Sequence, residues 1–231
     1  MENMDIAKSG EELAKICREN SITLSEYAIL REMEDKDITR EEVVSKMRDI
    51  LETMKSSARE AREREVYSIS GLIGGDAYKM QNYLKSGKSL TGDTMVLAMA
   101  MALSSSEVNA SMGKIVACPT AGSCGILPAA LLSAGERLNA SDDELIKGLF
   151  ASAAIGMIIG RNATFSGAEG GCQAECGSAS AMASAAIVEL MGGTAEMALH
   201  AGAIILKNIL GLVCDPVAGL VEIPCAKRNA S

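Results

Sequence analysis

Tryptophan is absent from this 231-residue chain, histidine occurs once, and aromatic residues make up 3% of it. So thin an aromatic content leaves no stacking platform for nucleobases. A single histidine, His200, excludes a metal site built on imidazoles; it falls in a helical pattern among Ala, Leu and Gly and reads as a core or surface residue. The net charge is −8, so the clustered Lys and Arg that neutralise phosphates are also missing, and nucleic acid is excluded as a partner. Long apolar runs are missing too. The runs over 148–160 and 176–188 hold 13 residues each, short of the roughly 20 that a membrane-spanning helix needs. Met1–Asn20 has no apolar core segment, so no signal peptide and a cytoplasmic protein are expected. The seven cysteines include no C-x-x-C pair, which argues against the common zinc and ferredoxin arrangements. An odd count in a reducing compartment points to free thiols or metal ligands rather than a disulfide framework.

What the chain does have is apolar and small. Hydrophobic residues make up 48% of it, enough for a core at this length. Residues 1–66 read as polar, amphipathic helices. Thr39 with Glu42 forms a capping box, and Ile38, Val43, Val44, Met47, Ile50, Leu51 and Met54 recur at helical spacing towards Arg64. Cys17 lies in that region as an ordinary helical thiol. Near Ser68 the composition shifts: Gly71, Gly74 and Gly75 make a turn, and Asp76 is expected to cap the helix carrying Tyr78, Lys79 and Met80. Ser86-Gly87-Lys88-Ser89 resembles the end of a phosphate-binding loop, but Asn82 stands where a glycine is required and no strand precedes it, so Lys88 is a surface loop residue. From Met95 onward Ala, Ser, Gly and Met dominate without strand-like alternation, and helices are predicted over 91–104, 125–137, 141–158, 171–191 and 194–210. Ser141 with Glu144, and Thr194, supply caps. The expectation is an all-α, multi-helix protein of one domain, with polar helices over 1–66 and the chemistry over 67–231.

Three loops carry unusual content. In C-P-T-A-G-S-C-G (118–125) the Thr120 and Ser123 hydroxyls, with free N–H groups at the next helix start, read as a carboxylate cradle or as a capped turn. In R-N-A-T-F-S-G-A-E-G-G-C-Q (161–173), Ser166, Glu169 and Cys172 crowd a helix start, where the dipole is expected to lower the thiol pKa. The third, Gly211–Asn229, holds Cys214 and Cys225 among glycines and prolines and reads as a constrained, non-helical segment. Spacing alone leaves the ligand set open. Cys172 and Cys176 share a helical face, Cys118 and Cys124 flank a turn, and any of these thiols is equally at home in a core.

The blocks P-T-A-G-S-C-G-I-L-P (119–128), S-G-A-E-G-G-C-Q-A-E (166–175) and L-K-N-I-L-G-L-V-C-D-P-V-A-G-L-V-E-I-P-C-A-K-R-N-A (206–230) resemble the iron–sulfur-dependent L-serine dehydratase alpha chain. The resemblance extends over essentially the whole chain. It implies a [4Fe–4S] cluster held by Cys172, Cys214 and Cys225, with Cys176 and Cys124 outside the ligand set. Three thiolates on a four-iron cubane leave one iron open as a Lewis acid for the departing β-hydroxyl of L-serine, giving aminoacrylate, then an imine, then pyruvate and ammonia. It further implies hydrogen bonds to the cluster or substrate from Ser166, Asn208, Arg228 and Asn229, a substrate carboxylate on Thr120 and Ser123, and a beta chain completing an oligomeric enzyme. The α-proton base is unassigned; Lys207 is a candidate, and equally a cation at a helix end. Alpha chains of that kind continue beyond the R-N-A block whereas this one stops at Ser231, so its last loop is expected to have less support. Two other readings stand beside this one: an L-cysteine desulfidase-type elimination of sulfide, and a non-catalytic cluster-binding helical subunit.

Overall fold

The computed structural model describes residues 5–231. Among these residues the fold is all-α, with no β-strand beyond two isolated bridges. The helices are α1 (Gly10–Glu19), α2 (Leu24–Lys36), α3 (Arg40–Glu63), α4 (Asp76–Lys85), α5 (Asp93–Ala110), α6 (Ile126–Leu138), α7 (Asp142–Asn162), α8 (Gly167–Gly170), α9 (Cys172–Leu190), α10 (Ala195–Ile209) and α11 (Ile223–Asn229), with a 3₁₀ turn over Ala121–Ser123. Their starts follow the chain's own capping residues. Thr39 with Glu42 and Ser141 with Glu144 form complete capping boxes, and Thr194 accepts from the Met197 N–H. Each box satisfies two N–H groups that a helix start would otherwise leave bare.

Helix α9 is the centre, with α6, α7 and α10 packed around it. Its buried residues include Ala179, Ala181, Ala183, Ala185 and Ala186, so the neighbouring backbones approach closely. At Gly148 on α7 an added Cβ would lie 2.9 Å from a Leu131 methyl on α6, so the Leu131 side chain would have to shift to admit it. Larger side chains then fill the volume from the other side: Leu127, Leu131, Leu149 and Phe150 are all buried, and each contributes on the order of 2 kcal/mol by leaving water. The same buried cluster takes in Leu13, Leu24, Tyr27, Val43 and Leu51 from the polar N-terminal helices. Glu189 of α9 reaches into this region and accepts from the Ser25 N–H at 3.2 Å, capping α2 from outside.

Polar ties recur where α3, α4 and α5 meet. The Ser104 hydroxyl of α5 accepts from Ala61 N–H (3.0 Å) and donates to the Ser57 carbonyl (2.6 Å), the two groups of α3 that a helix joins directly. Helix α4 departs from the sequence expectation. Its N-cap is Gly75, in the left-handed region, and Asp76 is its first helical residue. The missing cap is supplied by Glu107 of α5, whose Oε1 accepts from the N–H groups of Asp76 (2.7 Å) and Ala77 (3.2 Å). The second correction concerns 211–229, which is not irregular throughout. Residues Ile223–Asn229 form α11, with Pro224 in its first turn, where proline costs no hydrogen bond.

Glu107 is 1% exposed and its Oε2 has no hydrogen-bond partner among the described residues. Burial pushes its carboxyl from 4.5 up to about 7, against the opposing pull of the Ala77 and Asp76 N–H groups and Lys227. The folded state therefore holds this proton more tightly than the unfolded chain. Its stabilisation is complete below pH 4.5 and is lost as pH rises through about 7. The difference corresponds to about 3 kcal/mol. Glu107→Gln retains an acceptor for both N–H groups and removes the titration. Urea unfolding at pH 5 and pH 8 should show the wild type losing stability relative to Glu107→Gln across this interval; equal losses in the two proteins would rule out the assignment.

Candidate metal and substrate site

The three loops meet at the start of α9. Gly171, at φ +77°, precedes Cys172, and a Cβ there would lie 2.7 Å from the Leu212 carbonyl. The segment carrying Cys214 thus crosses directly over this glycine. Gln173 holds it in place: its N–H donates to the Leu212 carbonyl (2.9 Å), and its side-chain oxygen accepts from the Gly211 N–H (2.8 Å). On α11, Cys225, Arg228 and Asn229 stand at i, i+3 and i+4 and share one face. Arg228 Nη1 donates to Cys172 Sγ (3.1 Å) and to the Val213 carbonyl (3.2 Å), and its fork pairs with both oxygens of Asp215. One guanidinium therefore joins the Cys172 thiol to the residues on either side of Cys214.

Asn229 performs the corresponding task towards the first loop. Its carboxamide donates to the carbonyls of Gly122 (2.7 Å) and Cys225 (2.8 Å) and accepts from the Gly125 N–H (2.8 Å). It is 6% exposed, so these bonds form out of water. Glu175, one turn along α9 from Cys172, accepts from the Thr120 hydroxyl. That hydroxyl has one proton, so Ser123 must be the donor in the 3.0 Å Thr120–Ser123 hydroxyl pair. The 120–123 turn is thus a capped turn that receives a carboxylate, and the carboxylate is the chain's own. Two glycines make room for it. A Cβ at Gly122 would overlap Oε1, and one at Gly167 would lie 2.9 Å from Oε2.

All seven cysteines are free. Burial pushes the Cys225 thiol up to about 11, and the charges of Cys172, Glu175 and Cys214 act in the same sense while Arg228 opposes them. Cys176, up to about 12 chiefly by burial, also feels Cys172 and Cys225. Arg228, on the helix of Cys225 and bonded to Cys172 and to both neighbours of Cys214, gathers these three thiols into one neighbourhood. Cys172 corrects the expectation of a lowered thiol pKa: burial raises it, and the charge of and hydrogen bond from Arg228 offset only part of that. Cys118 and Cys124 lie buried beneath the site, with Cys118 Sγ against the Cys124 carbonyl.

Among the described residues no three His, Cys, Asp or Glu side chains stand close enough to share one metal ion. A cubane sets a different test, because each thiolate binds its own iron and the sulfurs are separated by the breadth of the cluster. Three thiols on three separate segments, with one already hydrogen-bonded by an arginine and another exposed, fit that donor set.

The other expected residues divide. Ser166 is half-buried as the residue before α8, with its N–H on Thr164 Oγ1 (3.0 Å). Lys207 and Asn208 are exposed on the last turn of α10, and among the described residues no hydrogen bond joins them to this site. Gln173, Glu175 and Asp215 were not singled out from the sequence, although all three stand inside the motif blocks. A hollow of about 700 Å³ beside Ile6, Glu12, Ile16 and Arg31 lies with the N-terminal helices and includes none of the site residues. Asn229→Ala should lower unfolding free energy by roughly 2–5 kcal/mol, because the Gly125 N–H and Gly122 carbonyl lose their partner in a buried place. A loss under about 1 kcal/mol in a denaturant titration would show that water replaces the carboxamide.

A family profile described as serine dehydratase alpha chain matches residues 19–231. The probable L-serine dehydratase alpha chain of Bacillus subtilis is 50% identical over 220 residues, covering 95% of this chain and 73% of that protein. The L-serine dehydratase alpha chain of Peptoniphilus asaccharolyticus is 49% identical over 223 residues, covering 96% and 76%. The L-serine dehydratase of Streptomyces coelicolor is 35% identical over 229 residues, which is 96% of this chain and 49% of that protein. Because the profile and these relatives all span the three loops that build the site, the chain belongs to the serine dehydratase alpha chain family.

Proposed function

We propose that this chain is the alpha chain of an L-serine ammonia-lyase that converts L-serine to pyruvate and ammonia, with Cys172, Cys214 and Cys225 holding a [4Fe–4S] cluster. The observation that carries this reading is the convergence of those thiols from α9, the 211–222 loop and α11, with Arg228 hydrogen-bonded to Cys172 and clamped on Asp215 beside Cys214. When bound, such a cluster supplies a Lewis acid for the leaving β-hydroxyl. The names of the relatives support the substrate and a separate beta chain. That partner completes the site and contributes the α-proton base, a role for which Lys207, exposed on α10, is poorly placed. Free thiols throughout the chain accord with a reducing, cytoplasmic setting.

The chain's own groups then position the substrate. Arg228 is the guanidinium at the site, and its Nε and second Nη2 protons are not used by the bonds to Cys172, Val213 and Asp215. Planar N–H pairs match a carboxylate, so we place the substrate carboxylate there. The Thr120–Ser123 turn is the poorer seat, because Glu175 would repel a second carboxylate. Asn229 and Gln173 hold the loops that carry these groups in register.

Iron and sulfide measured after anaerobic purification should come to about four of each per chain. Both should fall in Cys214→Ser. A wild-type chain that takes up no iron after anaerobic reconstitution removes the ligand assignment. With the cluster loaded and the beta chain present, pyruvate should form from L-serine. Sulfide released from L-cysteine in preference would make the enzyme a desulfidase, and neither product from a fully loaded complex would make the chain a non-catalytic subunit.

A further inference from the structure

An α-amino acid carries two charges, and the reading above accounts only for its carboxylate. Each acid around the three loops meets different demands. Asp215 is held by both nitrogens of the Arg228 fork. Asp76 pairs with Lys227 and Lys79. Glu222 accepts from Ser68 (2.8 Å) and Ser70 (2.6 Å) hydroxyls and is 5% exposed. Glu107 caps α4 from within the core, and Glu169 accepts from Thr164 at 2.7 Å on the exposed turn α8. Glu175 likewise has one neutral donor among the described residues, the Thr120 hydroxyl on Oε1, and no cation pairs with it, but unlike the exposed Glu169 it is half-buried, one turn along α9 from Cys172.

That carboxylate is half-buried, and its Oε2, with no donor among the described residues, is not one of the atoms shut off from solvent. Gly122 and Gly167 come from two different loops, and each presents a bare Cα to it. Oε2 faces Gly167, and the gap there is too narrow to accept even a methyl group, which would stand 2.9 Å away. Glu175 is close enough for its charge to be felt at Cys172, Cys176 and Cys225. It therefore stands with the thiols on one side and the glycine turns on the other. The Thr120 oxygen already accepts from the Ser123 hydroxyl and N–H, so a carboxylate with a free oxygen beside the lone pairs of the Ser123 hydroxyl is the chemical seat for an ammonium group.

We propose that Glu175, with the Thr120–Ser123 turn, binds the α-ammonium of the amino-acid substrate, and so sets the specificity for amino acids over acids lacking that group. This rests on the proposed function, with Arg228 and Glu175 taking opposite ends of the zwitterion. Thr120 then has a positioning role: its hydroxyl holds Oε1 and leaves Oε2 to the ligand. Gly167 leaves room for Oε2 itself, and the ammonium meets that oxygen from the side away from this glycine.

The test uses the cluster-loaded enzyme in complex with its beta chain, and the probes L-alanine and propanoate, which differ in the ammonium and contain no leaving group. Dissociation constants are measured by calorimetry, with iron content and visible absorption recorded for each variant. In Glu175→Gln, L-alanine should bind about tenfold to a hundredfold more weakly, since a charge-assisted hydrogen bond is lost, while propanoate binding stays within about threefold. Gly167→Ala keeps the carboxylate's charge but crowds Oε2 and must displace it, so it should reproduce the loss even if Glu175→Gln folds poorly. For L-serine turnover the same variants should raise KM with kcat little changed. An unchanged ratio of L-alanine to propanoate affinity in both variants overturns the proposal. So does a fall of kcat with KM unchanged, which would make Glu175 a proton-transfer group. If the wild type discriminates between the probes but forms no pyruvate from L-serine, the proposed reaction fails and the ammonium seat stands.

Discussion

Three side chains from two helices fasten three loops to one point, and the rest of the site follows from how each is held. Asn229 ties α11 to the first loop through Gly122 and Gly125, Glu175 ties α9 to the same loop through Thr120, and Arg228 ties α11 to both Cys172 and the Cys214 segment. Directed bonds are needed here because the large apolar residues of the third loop, Val213, Val217, Leu220 and Val221, stay exposed and do not pack it down. A hydrogen bond fixes distance and angle, whereas apolar burial rewards any arrangement that excludes water. Thiols that must each meet a different atom of one rigid cluster need the first kind of constraint.

Behind the site the logic is reversed. Helix α9 is lined by alanines, and α7 and α10 come against it at Gly148 and Gly202. Close-packed backbones make a stiff base, and the polar ties are built on its N-terminal end. The price is local weakness in shape specificity, since alanine surfaces fit one another in many registers. Leu127, Leu131, Leu149 and Phe150, together with capping boxes at Thr39 and Ser141, select among them.

The same economy of caps explains the one helix start that sequence reading misassigned. Nothing local to Gly75 satisfies the first N–H groups of α4, and a carboxylate from α5 does so through the core. Glu107 stands 31 residues from Asp76, so no local pattern announces it. The helix at 223–229 was hidden for another reason. Its proline suggests an irregular segment, yet at the first turn proline is compatible with a helix, and only the bonds of Asn229 to Cys225 and beyond make so short a helix worth forming.

Sequence alone determined the helical class, the bounds of the long helices to within a few residues except at the C-terminal ends of α5 and α7, which run six and four residues further, and the three loops that matter. These are local properties: periodicity of apolar residues, caps three residues apart, and motif blocks that resemble a known family. Tertiary structure decided which groups meet. It put Arg228 on Cys172, Gln173 on the Cys214 segment and Glu175 on the Thr120 turn, across separations of 56, 38 and 55 residues. It also reversed the pKa direction expected for Cys172, because burial by elements distant in sequence outweighs the field of its own helix. Side-chain polarity is written in the chain, but desolvation and pairing depend on what folds against it.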